Sequence, residues 1–308
     1  MYATALEQIE WADRLGFGSV ALHEHHGMAD GYLPSPAVFA GAVAARTRSI
    51  GITVTIPAPL HDPVRLAEDL AVVDHLSAGR LRVVLGNGYV DAESLMFGKE
   101  PLVAARVKAT SDALVFLRHA WTDAELVRDG QTIRVTPRPY QAPHPPIGLA
   151  GYSRGAARRA ARLADFFHPG DVSAWLWDIY REELARLGRP DPGPMAPLGP
   201  FFLHISAEPE QSWDRIGAYL LHEMNEYGRL AEAAGIQNAG YRTVASLAAL
   251  RETGLYAVKT PDECVEIFDA LGRDGVQLFH PLCGGIDPQT SWDSLRLFEH
   301  EVLPRLAR

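Results

Sequence analysis

Glu24, His25 and His26 follow His23 without a break, directly behind the apolar run Ser19-Val20-Ala21-Leu22. Side chains of these types at this density support two chemistries. One is ligation of a transition metal; the other is acid–base transfer by an imidazole, whose ordinary pKa of about 6.5 lets it load and unload a proton near neutral pH. SVAL reads as a short buried strand, and alternate residues of a strand share a face. Val20 and Leu22 then face covering helices, while Ser19, Ala21, His23 and His25 face the other way and Glu24 and His26 point back unless the chain has already turned. His25 falls at the C-terminal end of that strand, where parallel barrels keep their reactive groups.

A metal site would pair His23 with His25 and draw on His168, His204 or His280, which lie on or near other expected strands. Zinc demands three or four ligands in fixed geometry. The sequence has no HExxH and no aspartate ending a strand as a bridging carboxylate, so the metal reading is the weaker one and no metal ligand is assigned; a hydrogen-bonded histidine loop without chemistry is the remaining alternative. Other candidates are weaker. LFHPLCGG (278–285) places a glycine pair at an expected strand end, open between a pocket wall and a plain turn. Cys283 in that loop has no evident base beside it. Phe167, Trp175 and Trp177 could roof an apolar substrate pocket, though clustered aromatics more often belong to a core.

Alternating short apolar strands and amphipathic helices must position these groups. Strands are expected near 19–22, 52–56, 81–86, 146–150, 165–168, 201–205 and 276–280. Helices are expected near 5–15, 36–47, 63–79, 106–121, 153–164, 175–188 and 209–234, with a last one over SLRLFEHEVLPRLA. This order implies parallel pairing through βα units. The fold class is α/β, a TIM-type (β/α) barrel in a single domain over 1–308, with insertions near 122–146 and 206–260.

With 47% hydrophobic residues in 308, the chain can build a full core, and a net charge of −9 argues against nucleic acid or an anionic membrane as partner. Two cysteines give no disulfide framework, and no apolar stretch is long enough to cross a bilayer, so a cytoplasmic protein is expected.

Several stretches taken together resemble the luciferase-like flavin-dependent monooxygenases: EHHG after a strand, HDPVRLAEDLAVVDHLSAGRLRVVLGNG, PRPYQAPHPPIGLAG, and the closing TPDECVEIF and SLRLFEHEVLP. The resemblance implies a TIM barrel that binds reduced FMN, supplied by a separate reductase, and that uses O₂ on a small organic substrate. The chain would act as a homodimer. An F420-dependent hydride transferase is the alternative; a metal-dependent hydrolase and a non-catalytic flavin-binding relative are the remaining ones.

The resemblance makes His25 the catalytic histidine beside the flavin ring, preceded by Glu24 at the same site. It puts Thr53, Val54 and Thr55 on the strand beneath the ring, where the family often carries a non-proline cis peptide. Gly86, Asn87, Gly88 and Tyr89 match the loop along the ribityl chain. Gly151, Tyr152, Ser153 and Arg154 match the phosphate turn, and Arg106 matches an arginine reaching the same phosphate. The luciferase branch has an arginine at the Asn87 position and a glutamate at the Tyr152 position; Arg154 would supply the missing charge.

The family also opens with an apolar strand. Here a helical pattern begins within the first residues, so no strand is expected over residues 1–5. The expected consequences are a gap narrowed by strand movement or covered by a loop or a partner subunit, and a weakened grip on FMN.

Overall fold

The computed structural model describes residues 1–122, 125–170, 174–236 and 240–306. Helix α1 spans Tyr2–Arg14, so the first residues are helical, in line with the absence of a strand there. Two compact units follow from the packing, Leu6–Gly193 and Met1–Ala5 with Pro194–Arg308.

In the unit Leu6–Gly193 the chain runs β1 (Ser19–His23), α2 (Pro36–Arg46), β2 (Gly51–Pro57), α3 (Pro63–Leu76), β3 (Leu81–Gly86), α4 (Asp91–Met96) and α5 (Val103–Ala120). It continues through β4 (Leu126–Arg128), β5 (Gln131–Ile133), β6 (Ile147–Gly151), α6 (Arg154–Leu163), β7 (Phe166–Pro169) and α7 (Ala174–Arg186). Five strands form one sheet in the order β1-β2-β3-β6-β7, and every pair is parallel. The excursion expected at 122–146 holds, in its described residues 125–146, a separate antiparallel hairpin, β4–β5, whose return is tied to α3 where Gln141 donates its backbone and side-chain N–H to the buried Asp74 carboxylate at 2.8 and 2.7 Å.

The register explains the sequence pattern. Leu22, Val54, Val83 and Ile147 lie in line across four strands, with Ile52, Ile56, Leu81, Leu85, Leu149 and Phe167 on the same side. All are buried in one core with helix residues such as Val43, Leu70 and Leu114. Burying such side chains is worth roughly 1.5–3 kcal/mol each. The opposite side carries His23, Thr55, Val84, Gly148 and Phe166 in a row, with Ala21, Thr53 and Arg82 in the row below. The Arg82 guanidinium rests 4.4 Å over the Phe166 ring. Burial, and then the charge of Arg82, push the His168 imidazole below its ordinary range, so it stays neutral at pH 7.

The second unit contains β8 (Phe202–Ile205), α8 (Pro209–Ala233), α9 (Leu247–Glu252), β9 (Tyr256–Lys259), α10 (Pro261–Leu271), α11 (Pro288–Leu297) and α12 (Leu303–Leu306). β8 and β9 pair in parallel around a core of Phe202, Trp213, Leu220, Met224 and Tyr256. Two sequence expectations are corrected here. Residues 276–280 do not form a strand; only Val276 makes a bridge, with Leu198, in a stretch hemmed by Pro197, Pro200 and Pro281. Instead Tyr256–Lys259, inside the expected insertion 206–260, is a strand. It is followed by a capping box in which Thr260 accepts from Glu263 N and Glu263 accepts from Thr260 N.

The peptide bonds through Thr53-Val54-Thr55 differ from the family expectation. The cis bonds among the described residues are Thr136–Pro137 and Ala142–Pro143. β2 keeps an unbroken ladder to both neighbours through this stretch.

Candidate active site

β1 ends at His23, and the chain turns at once, with the His25 N–H donating to Leu33 O at 3.3 Å. That turn overrides strand parity. The Glu24 side chain is fully buried, and its Oε1 accepts from His26 Nε2 at 2.8 Å and His61 Nε2 at 2.7 Å.

His25 is held by a second carboxylate. Its Nδ1 lies 2.8 Å from Glu93 Oε1, and the same oxygen accepts from His26 N at 2.9 Å. An ionised carboxylate only accepts, so Nδ1 carries the proton and Nε2 presents its lone pair. Tyr89 sits at that lone pair, its hydroxyl 3.2 Å from Nε2. Burial pushes the Tyr89 phenol far above its ordinary range, with Tyr152 and Tyr32 adding to the shift, so it stays a donor. The rings of Tyr32 and Tyr89 meet His25 edge-on at 5.2 and 5.5 Å between centroids. The result is a buried imidazole of fixed tautomer and orientation with its basic nitrogen facing a neutral phenol.

The sequence reading missed Glu93. It lies on the first turn of α4, immediately past the Gly86–Tyr89 loop, in a DAES segment whose acidic residues look like ordinary helix-start residues. Sixty-eight residues separate it from His25, so no local spacing reveals the pair.

Tyr89 also links this group to the expected phosphate turn, its ring 6.4 Å from that of Tyr152. Ser153 caps α6, accepting from Ala156 N at 3.2 Å. Gly151 is required there, since a Cβ would lie 2.3 Å from Ala156 Cβ. The helix therefore starts tight against the end of β6, with its first N–H groups at the strand terminus. Arg154 places its guanidinium 5.7 Å over the Trp175 ring. Phe167 is buried in the core and packs against Tyr180, while Trp175 and Trp177 are partly buried and pack against the same core.

Arg106 is buried on α5 and donates to Asp91 Oδ1 at 2.6 Å, rather than to the Gly151–Arg154 turn. It lines a cavity of about 480 Å³ with His61, Lys99 and Phe116. Val54 is wholly buried in the core under the helices, so its side chain does not share the face of Thr53 and Thr55.

Polar atoms wait for partners at the same strand ends. Glu24 Oε2, Thr55 Oγ1, Asn87 Oδ1 and Arg106 Nε are buried without a hydrogen bond among the described residues. Buried polar groups are normally satisfied, and each orphan costs about 1–3 kcal/mol. Orphans on β2, on the β3 loop and beside His25 are what a polar ligand lying across these ends would satisfy. A Cβ built on Gly86 or Gly88 would make ordinary contacts, at 3.8 and 3.6 Å, and Gly88 needs its glycine for a φ of +66.

The molecule has relatives of known class. An uncharacterised protein of Sinorhizobium fredii is 35% identical over 193 residues, covering 59% of this chain and 55% of the relative; this chain thus spans about half of that relative's length. The 4-hydroxyprotoasukamycin monooxygenase of Streptomyces nodosus subsp. asukaensis is 26% identical, over 97% of this chain and 85% of its own. Among solved structures, the oxygenating constituent of 3,6-diketocamphane monooxygenase of Pseudomonas putida, in complex with FMN, is similar with a TM-score of 0.75 and 19% identity, covering 99% of this chain and 93% of that one. That likeness shows the TIM-type barrel fold. Residues 1–278 match the family model described as luciferase-like monooxygenase, and the chain belongs to that family.

Proposed function

We propose that this protein is a monooxygenase that uses reduced FMN and O₂ on a small organic substrate. The observation that carries the reading is His25, buried at a strand end between Glu93 and Tyr89 with its tautomer set. Support for FMN comes from the FMN complex of the Pseudomonas putida neighbour and from the orphaned polar atoms of Thr55 and Asn87.

Bound reduced flavin would supply the electrons that activate O₂. Thr53, Thr55 and the backbone of Val54 would lie beneath its ring, and Gly86, Asn87, Gly88 and Tyr89 along its ribityl chain. Gly151, Tyr152, Ser153 and Arg154 would receive the phosphate at the start of α6, where unpaired N–H groups favour an anion. Arg106 would contribute charge from its own cavity. Glu24 would fix the shape of the pocket through His26 and His61.

His25 would take or give a proton at Nε2. Glu93 stabilises the imidazolium that forms, and Tyr89 yields its hydrogen bond when Nε2 is protonated. The two buried free cysteines accord with a cytoplasmic location. A separate reductase would deliver the flavin to a homodimer whose chains each form one barrel domain over 1–308.

The test is titration of the purified protein with FMN, reduced FMN and F420, followed by a screen of ketones, aldehydes and thioethers with a generic reductase. Binding of reduced FMN and incorporation of one oxygen atom from O₂ support the reading. Binding of F420 alone, with hydride transfer and no oxygen uptake, overturns it.

A further inference from the structure

The LFHPLCGG stretch left open by the sequence is a turn that docks on α8. Cys283–Gly285 form a short 3-10 turn in which Gly284 has φ +57 and Gly285 φ +94. A Cβ on Gly284 would lie 2.2 Å from Tyr219 O, so only glycine lets the turn close on that face. Tyr219 and Glu223 are one helical turn apart on α8, and the docking brings Cys283 and His280 onto Glu223.

The three side chains converge. Cys283 Sγ lies 2.6 Å from Glu223 Oε2, and His280 Nδ1 lies 3.1 Å from Glu223 Oε1. One ligand atom from each falls within 4.8 Å of the others. Cys283 is wholly buried and Glu223 is 7% exposed, and among the described residues the ion pair with His280 is what meets Glu223 Oε1. Tyr256, from the neighbouring β9, donates to Glu223 Oε2 at 2.9 Å and holds the carboxylate in place. The His280 side chain is half exposed, which gives a route in from solvent.

We propose that Glu223, His280 and Cys283 bind a divalent transition metal of the zinc type, with water as fourth ligand. Thiolate, imidazole and carboxylate in this combination suit zinc, with bonds of about 2.3 Å to sulfur and about 2.0–2.2 Å to nitrogen and oxygen. Tetrahedral ligands at those lengths stand about 3.4 Å apart, so Cys283 and Glu223 need separate by only about 1 Å. On binding, the Cys283 S–H bond breaks, its proton goes to solvent, and a sulfur–metal bond forms; no electron is transferred. The bound metal would tie α8 to the segment that follows α10 and keep one position open to water.

Cobalt(II) titration of the full-length protein under reducing, anaerobic conditions tests this, with zinc competing. One equivalent of cobalt should give a thiolate-to-metal charge-transfer band and the intense visible bands of four-coordinate cobalt, and zinc should bleach both. Cys264→Ser should leave the bands unchanged, and Cys283→Ser should abolish the charge-transfer band. His280→Ala, which alters a half-exposed side chain and should fold, should weaken cobalt binding by roughly 100-fold or more. Absence of the charge-transfer band in the wild type would overturn the proposal. So would its persistence in Cys283→Ser, or unchanged affinity in His280→Ala.

Discussion

Glu93 Oε1 lies 2.8 Å from His25 Nδ1 and simultaneously takes the backbone N–H of His26 at 2.9 Å. One carboxylate oxygen thus fixes both the ring of His25 and the turn that carries it. Replacing Glu93 with glutamine keeps a hydrogen-bond acceptor and removes the charge. Glu93→Gln should lower kcat by roughly 10–100-fold and leave the affinity for reduced FMN in place. Unchanged kcat would show that Glu93 does not act through His25.

Tyr89→Phe keeps the edge-on ring contact and deletes the hydroxyl at 3.2 Å from Nε2. The neutral phenol is expected to steady the lone pair, so kcat should drop by about 5-fold, the loss of one hydrogen bond of about 1 kcal/mol. KM should hardly change. A collapse of flavin binding instead would assign Tyr89 to the cofactor rather than to the histidine.

Much of this site was legible in the residues themselves. The alternation in SVALH and GITVTIP sorts Leu22, Val54 and Ile56 into the helix-facing core, and the strand end at His25 follows. What parity could not give was the turn after His23, which sends Glu24 into a buried pocket with His26 and His61. Nor could it give Glu93, whose partner is distant in the chain. The strand Tyr256–Lys259 escaped because four residues carry too little periodicity; the TPDE capping box behind it was the readable signal. Val276–His280 has a strand's composition, but flanking prolines leave it only one bridge.

Glu24→Ala should be more damaging to stability than its neighbourhood suggests. The substitution strands His26 and His61, both hydrogen-bonded to one buried oxygen. A loss of about 2–3 kcal/mol is expected, measured by urea unfolding. A change within experimental scatter of zero would mean the two imidazoles find other partners.

Asp13 anchors the turn before β2, accepting from the backbone N–H groups of Arg48, Ser49 and Ile50 at 2.6–2.9 Å. Burial works against the charge, but these donors outweigh it and pull the carboxyl down to about 2 from 3.8. A group depressed on folding stabilises above its unfolded value and loses that contribution as pH falls through its folded value. Asp13 should therefore contribute fully above about pH 4 and lose its contribution between about 4 and 2. Asp13→Asn should be less stable at pH 7 and should flatten that part of the acid-unfolding curve. Identical acid curves for both proteins would refute the assignment.

Ser153→Ala removes the cap of α6, worth about 1 kcal/mol of stability. If the start of this helix receives the flavin phosphate, the variant should weaken FMN by roughly 5-fold and leave riboflavin, which lacks the phosphate, unaffected. Equal weakening of both ligands would place the phosphate elsewhere.

The most direct measurement is rapid mixing of protein-bound reduced FMN with oxygenated buffer, following flavin absorbance across pH 5–9 in the wild type and in His25→Ala. The wild type should reoxidise its flavin with a slow, pH-dependent phase absent from free flavin. His25→Ala should still bind reduced FMN but lose the pH dependence, with turnover on any accepted substrate down by about 10²–10⁴-fold. Wild-type reoxidation indistinguishable from free flavin, or a His25→Ala protein with the wild-type phase and pH profile intact, would contradict the account.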